Sequence, residues 1–245
     1  MVIASSGDVV TWSVDTTSGK PVPANATEWG DFIAAKGLSI PVPNFLHLCQ
    51  EASGNLADSI GSLTLAANGS PLYRQAIIGW SRAGVKGTNA ATGQRLMASV
   101  SSTASTPYAI LCLVQFDANQ EPGSPGSREI FGVGTSSDWA VAPYDDGGVT
   151  RIRYVEGSNT ADTSAANDYS TACAVAGLND ASGRAWVFTS LETLSPTYGA
   201  PASNNSYFLG SRTMRFAAAT IGYSCGWQAA ISDADMRALI AALEW

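Results

Sequence analysis

The residues able to do chemistry are few, and the first to weigh is His47, the one histidine of the chain. Any serine or cysteine hydrolase built on this sequence must use it as its base. In Phe45-Leu46-His47-Leu48-Cys49 the histidine and Cys49 stand two apart, which puts both on one face of a strand. A nucleophile and its base also need a pocket and an oxyanion donor. Two residues do not make those, so a hydrogen-bonded core or edge histidine is the preferred reading. A second group runs from 138 to 146. Asp138, Asp145 and Asp146 offer hard oxygen ligands of the kind calcium takes. Trp139 and Tyr144 offer an aromatic platform for a sugar ring beside hydrogen-bonding carboxylates. Trp139, Tyr144, Asp145 and Asp146 are therefore the candidate ligand-binding residues, although Asp145-Asp146-Gly147-Gly148 is a turn former first and Trp139 is weighed as core before platform. No metal site or cofactor is assigned, and calcium is left open.

The elements that must position these residues are mostly short strands. Tyr108 to Phe116 is the clearest: Tyr108, Ile110, Cys112, Val114 and Phe116 line one face and Ala109, Leu111 and Leu113 the other, so the strand is expected at the centre of its sheet with both faces covered. Val9–Val14, Leu63–Leu65, Gln75–Trp80, Ile130–Val133, Trp139–Ala142, Val149–Val155, Ala172–Val175 and Ala185–Leu191 read as further strands. Turn clusters part them, among them Asn68-Gly69-Ser70-Pro71 and Asp145-Asp146-Gly147-Gly148. Arg151 and Arg153 alternate with Ile152 and Tyr154 and mark one wet face, while 119–127, 158–170 and 195–205 read as loops.

Two helices are expected. Asn25-Ala26-Thr27-Glu28 is a capping-box pattern, Trp29, Phe32 and Ile33 form an apolar stripe, and Gly37 stands where a C-cap glycine belongs. Near the end, Ser232 is a natural N-cap, Asp233 and Asp235 suit the positive end of the helix dipole, and Met236, Leu239, Ile240 and Leu243 recur at helical spacing. Pro41 and Pro43 make 39–44 an extended linker, so residues 1–43 read as an N-terminal arm set before a main domain of residues 44–245, separable from it without unfolding it.

The closing segment carries a resemblance. Phe208-Leu209-Gly210, Phe216, Ile221-Gly222, Gly226-Trp227 and Ile231-Ser232-Asp233-Ala234-Asp235 before an apolar helix resemble the ending of laminin-G-like domains, members of the concanavalin A-like lectin and glucanase superfamily. Ile231 and Asp235 stand where that family commonly has leucine and glutamate. Glu51-Ala52-Ser53-Gly54-Asn55 with Asp58-Ser59 is similar to its first strand and turn, with Glu51 in place of aspartate. The resemblance implies a mainly β fold, an antiparallel β-sandwich of the concanavalin A-like jelly-roll type, with short N-terminal and C-terminal helices. It also implies a rim that often binds calcium. Glucanases of this superfamily place paired carboxylates on one strand, whereas Glu28, Glu51, Glu121, Glu129, Glu156, Glu192 and Glu244 are isolated here. The stretch Ser18 to Trp29 resembles a phrase of phage virion proteins that carry such a domain.

Composition narrows the partners. Charged residues are 13 % of the chain, against about a quarter in average soluble domains. The net charge is −7 with scattered basic residues, which disfavours nucleic acid. No apolar run approaches the roughly 18 residues of a membrane span, and the start lacks a signal-peptide pattern, so cytoplasmic synthesis is expected. Cys49, Cys112, Cys173 and Cys225 show no metal-ligand spacing and read as buried free thiols. Together these favour a non-enzymatic structural or accessory component of a virion or particle surface, docked through its arm to other subunits or to itself. The alternative is an adhesin for surface glycans, with a hydrolase third.

Overall fold

Why strands dominate is clearest at 108–116, where apolar residues fill both phases of a period of two and leave no polar face for a helix to expose. The computed structural model describes residues 4–5, 8–9, 12–87, 95–100, 107–116, 128–134, 139–147, 149–156, 159–164, 171–180, 185–189, 192–194, 206–210, 215–216 and 219–245. In chain order the elements begin with β1 (Ala4–Ser5), β2 (Asp8–Val9), α1 (Ala26–Lys36), β3 (Phe45–His47), β4 (Ala66–Asn68), β5 (Leu72–Ala76) and β6 (Ala83–Lys86). There follow β7 (Arg95–Ser99), β8 (Tyr108–Phe116), β9 (Arg128–Glu129), β10 (Phe131–Val133), β11 (Trp139–Asp145), β12 (Thr150–Glu156) and β13 (Asn159–Asp162). The last are β14 (Cys173–Asn179), β15 (Ala185–Thr189), β16 (Thr193–Leu194), β17 (Ser206–Gly210), β18 (Arg215–Phe216), β19 (Ala219–Trp227) and α2 (Asp233–Leu243).

Two antiparallel sheets carry the fold. One runs β13-β12-β11-β10-β17-β7-β4, the other β16-β15-β14-β8-β19-β6-β5, with β3 added against β19. Between them lies a core built from Tyr108, Ile110, Cys112, Val114 and Phe116 of β8 facing Phe131, Val141, Ile152, Tyr207 and Leu209. The other face of β8, Ala109, Leu111 and Leu113, belongs to a second core on the outside of the eight-stranded sheet. The sequence reading of β8 as a central, doubly covered strand is thus met.

Strand β19 serves both cores because its phase changes once. Ala219 and Ile221 face the inter-sheet core, whereas Tyr223, Cys225 and Trp227 face the second one. Strict alternation would keep all five on one face. The ladder to β8 steps from Ile221↔Val114 to Tyr223↔Leu113, leaving Gly222 as the extra residue of a β-bulge. A Cβ at 222 would lie 2.2 Å from Ile77 Cδ1, so a larger residue there requires the Ile77 side chain to shift.

The second core is covered by α1, α2 and the segment before residue 44. Asn25 Oδ1 accepts from Glu28 N at 3.0 Å, and Gly37 closes α1 at φ 62°, as the capping signals predict. Trp29 and Phe32 are fully buried on the sheet. Ring donors then fasten the proline-rich stretches. Trp227 Nε1 donates to Pro41 O at 2.8 Å, Trp245 Nε1 to Pro21 O at 2.7 Å, and Tyr223 Oη to Pro23 O at 2.5 Å while accepting from Trp29 Nε1 at 2.9 Å. Asp15 ties the 15–20 turn to the loop after β5, its carboxylate accepting from Ser18 N at 2.8 Å and Ser81 Oγ at 2.6 Å. Burial alone would raise the pKa of Asp15, but these hydrogen bonds outweigh it and hold it at about 2.

Several expected boundaries move. Of the Val9–Val14 stretch, Val9 ends β2 and Val14 makes an isolated bridge to Pro21, because the chain reverses at Asp15–Lys20; residues 10 and 11 lie outside the described residues. Leu65 likewise only bridges Leu56, and β4 begins at Ala66. Gln75–Trp80 leaves the ladder after Ala76 and turns, with Trp80 N donating to Ile77 O at 3.1 Å. Polar Asn159–Asp162, read as loop, pairs with β12 as β13. The loops expected over 119–127 and 195–205 lie outside the described residues.

Two outcomes follow from this packing. Removing residues 1–43 would bare Tyr223 and Trp227 and orphan their polar atoms, so the truncated chain is expected to lose cooperative unfolding. In the full chain Trp29→Ala should cost about 3–5 kcal/mol in urea denaturation. Asp15, depressed below its ordinary 3.8, contributes stability that is whole above that value and lost as pH falls toward 2. Asp15→Asn should accordingly flatten that part of the acid limb in a pH series of Tm.

Candidate functional site

His47 comes to rest inside the molecule. It is 0 % exposed, with Nε2 2.7 Å from Leu63 O and its ring 6.0 Å from that of Tyr207. Cys49 shares the inward side, but its thiol donates to His47 O at 3.7 Å and burial pushes its pKa well up. A protonated thiol on a backbone oxygen is not a nucleophile poised on a base. All four cysteines are free and buried, as read from their surroundings.

Three of the isolated glutamates have structural partners. Glu28 Oε2 accepts from Ser13 N at 2.6 Å and Ala24 N at 3.0 Å, Glu51 Oε1 from Ala57 N at 2.9 Å, and Glu192 Oε1 from Ser164 N at 2.7 Å. Glu121 and the side chain of Glu156 lie outside the described residues. Asp58, in the turn that resembles the laminin-G-like one, holds four backbone amides: Leu46, Ile60 and Gly61 on Oδ1 and Leu63 on Oδ2, each at 2.9 Å. A carboxylate so engaged has little left for a cation.

The rim group is built on the β11–β12 hairpin. Asp146 N donates to Val149 O at 2.9 Å and Gly147 takes φ 66°, so the Asp-Asp-Gly-Gly stretch turns as its composition requires. Tyr144 and Asp146 sit at this turn. Position 139 lies at the far end of β11, paired with Glu156 while Asp145 pairs with Thr150, about 20 Å away by strand rise. The backbone therefore does not gather the four candidates into one site. Asp138 and the side chains of Trp139 and Asp145 lie outside the described residues.

What gathers around Tyr144 comes from the neighbouring strands. The Arg153 guanidinium lies 3.5 Å from the centroid of the half-buried Tyr144 ring. Arg153 forks onto Asp162, its partner in the β12–β13 register, with Nη2–Oδ2 at 2.5 Å. Arg151 Nε donates to Asp146 Oδ2 at 2.8 Å, and its Nη1 to Thr163 O at 2.9 Å and to Ser164 O. Ile152 and Tyr154 turn to the inter-sheet core, so the alternation read from 151–154 is met, although Arg153 is only 7 % exposed. The result is a ring with one face capped by a cation, on the outer face of the seven-stranded sheet, with Arg151 opposite it in the ladder and the two arginines holding Asp146 and Asp162. Such a surface can stack against a ring and accept hydrogen bonds from hydroxyls. Asp162 was the residue the sequence did not reveal: its strand has no apolar alternation, and only the Arg-x-Arg of β12 hinted that a carboxylate should lie opposite.

No protein-family model and no curated protein sequence matches this chain. Solved structures do. Trypanosoma rangeli sialidase in complex with the inhibitor DANA is similar over 83 % of this chain and 33 % of its own, with TM-score 0.59 and 11 % identity. The same sialidase in complex with sialic acid gives TM-score 0.55 over 82 % of this chain at 11 % identity. The botulinum neurotoxin serotype G binding domain gives TM-score 0.54 at 12 % identity, over 81 % of this chain and 50 % of its own. This chain thus spans about a third of the sialidase and half of the toxin domain. At such identities the likeness is one of fold, a β-sandwich that these proteins contain.

Asp162→Asn tests the cluster as a structural unit. The pair is shielded on the arginine side and half open on the other, so the loss should fall near 1–2 kcal/mol, between the roughly 0.2–1 of surface pairs and the 3–5 of buried ones. A urea titration that gives no loss would mark Arg153 as held by Tyr144 alone.

Proposed function

We propose that this protein is a non-catalytic β-sandwich module of the concanavalin A-like, laminin-G-like type, and that it recognises surface saccharides through the outer face of its seven-stranded sheet. The observation that carries this reading is the half-buried Tyr144 ring with the Arg153 guanidinium against it, on a hairpin whose arginines also hold the carboxylates of Asp146 and Asp162. An aromatic ring held rigid beside hydroxyl acceptors is what a sugar needs, since its C–H face stacks and its rim donates. The sealing of His47 and Cys49 in the core supports a role without nucleophilic chemistry. Two of the similar structures are the sialidase in complex with the inhibitor DANA and with sialic acid, which supports the ligand class by analogy of fold alone.

A second reading, a structural or accessory subunit of a phage virion, is supported by the resemblance of Ser18–Trp29 and by the low charge of the surface. In it the docking contacts would be made by an outer surface, because residues 12–43 are committed to the second core. The two readings are compatible: a glycan-binding module on a particle satisfies both.

A glycan array on the whole protein, run with calcium and again with chelator, tests the proposal. Saccharide binding that Tyr144→Ala abolishes with Tm changed by less than a few degrees is the expected result. Loss on chelation would place a calcium ion among the rim oxygens. Silence in both conditions, with folded protein, overturns the saccharide reading and leaves the structural one.

A further inference from the structure

We infer that His47 makes the attachment of β3 and the 58–65 segment to the sandwich releasable by acid, one proton taken up at Nδ1 opening it. Strand β3 is three residues long and pairs only with β19. The 58–65 segment holds it from the other side. Asp58 Oδ1 accepts from Leu46 N, Ser59 N donates to Leu46 O at 2.8 Å, and Leu63 O faces His47 Nε2 at 2.7 Å. Since a carbonyl only accepts, the neutral ring carries its proton on Nε2. That leaves Nδ1 as a bare acceptor, and it is buried with no hydrogen-bond partner among the described residues.

A proton arriving at Nδ1 therefore creates a buried N–H without an acceptor and a full charge against the rings of Phe45 and Tyr207. The groups around it do not rescue that charge directly. Ser224, opposite His47 in the β19 ladder, already shares its hydroxyl with Tyr207 Oη at 2.6 Å and Cys112 Sγ at 3.3 Å. The Cys49 thiol is committed to His47 O. The two nearby carboxylates are Asp58, which holds its four amides, and Glu51, whose Oε1 holds Ala57 N while its buried Oε2 has no partner among the described residues; neither is hydrogen-bonded to the imidazole, and both act on it through charge alone. Burial accordingly lowers the imidazole pKa below its ordinary 6.5, and the Leu63 carbonyl, Asp58 and Glu51 oppose this only in part.

The sign follows. An opened segment has an ordinary histidine and binds more protons below pH 6.5 than the closed one. Closure is thus fully present above 6.5 and weakens as pH falls from there to the lower value of the buried ring, by up to about tenfold per pH unit. Asp15, Glu28 and Asp58, all depressed, lose their contributions only below their ordinary range of 3.8–4.5. The histidine window thus opens at 6.5, above theirs.

The test compares the full chain with His47→Gln, whose amide can still donate to Leu63 O but does not titrate. Hydrogen exchange at the Leu46 and Leu63 amides is measured at pH 7.5 and 5.0 and corrected for intrinsic rates. Protection is expected to fall about tenfold or more in the natural chain and to stay level in the variant. An equal fall in both, or none in the natural chain, overturns the inference. Should His47→Gln fail to fold, the chain's single imidazole gives one unambiguous NMR titration. A midpoint below 6.5 that coincides with loss of protection supports the device, and a midpoint at 6.5 or above, or protection indifferent to it, overturns it.

Discussion

One extra residue governs this architecture. A strand that alternates without interruption can feed one core well and must send its other side to something else. By inserting Gly222, β19 gives its first half to the space between the sheets and its last half, with Tyr223, Cys225 and Trp227, to the helices outside. The large polar-tipped rings thereby fall where carbonyls of the N-terminal segment wait for donors. Were the phase kept, Tyr223 and Trp227 would crowd the inter-sheet core, already filled by Phe45, Phe131 and Tyr207, and their hydroxyl and indole N–H would be left without partners at a cost of about 1–3 kcal/mol each.

The parts of this fold written locally in the sequence were readable there. Helix caps depend on neighbours a few residues away, so Asn25, Gly37 and Ser232 announced both helices. Two-phase hydrophobicity announced β8 as central, and Asp-Asp-Gly-Gly announced the β11–β12 turn. Features decided at long range were not readable. The bulge at Gly222 shows in the pairing of β19 with β8, where Tyr223 falls opposite Leu113, and no property of residues 219–227 alone tells a bulge glycine from an ordinary one. Prolines at 21, 23, 41 and 43 signal an extended chain, yet they do not say whether it hangs free or lies on a sheet.

The candidate site divides the same way. The place of Tyr144 and Asp146 beside the β11–β12 turn was legible, because Asp-Asp-Gly fixes where the strand reverses. Grouping them with position 139 failed in the backbone because nearness in sequence along a strand is distance in space, about 3.3 Å for each residue. The true neighbours of Tyr144 arrive across strands: Arg153 from β12 and Asp162 from β13. His47, read as a hydrogen-bonded core or edge residue, lies in the core, whereas the solitary state of Nδ1 depends on Leu63 taking the other nitrogen.

The segment that covers the second core has a further meaning. Pro21, Pro23 and Pro41 carry no N–H, so at those positions it cannot add to a sheet as another strand, and three ring donors of the sandwich take their carbonyls instead. In thermodynamic terms the segment is a ligand, recognised side chain by side chain, that shares a covalent chain with its own receptor. Its occupancy is set by an effective concentration rather than by supply, and the short connection through 42–44 keeps that concentration high. The groove it fills is therefore one that this chain keeps closed to every other peptide.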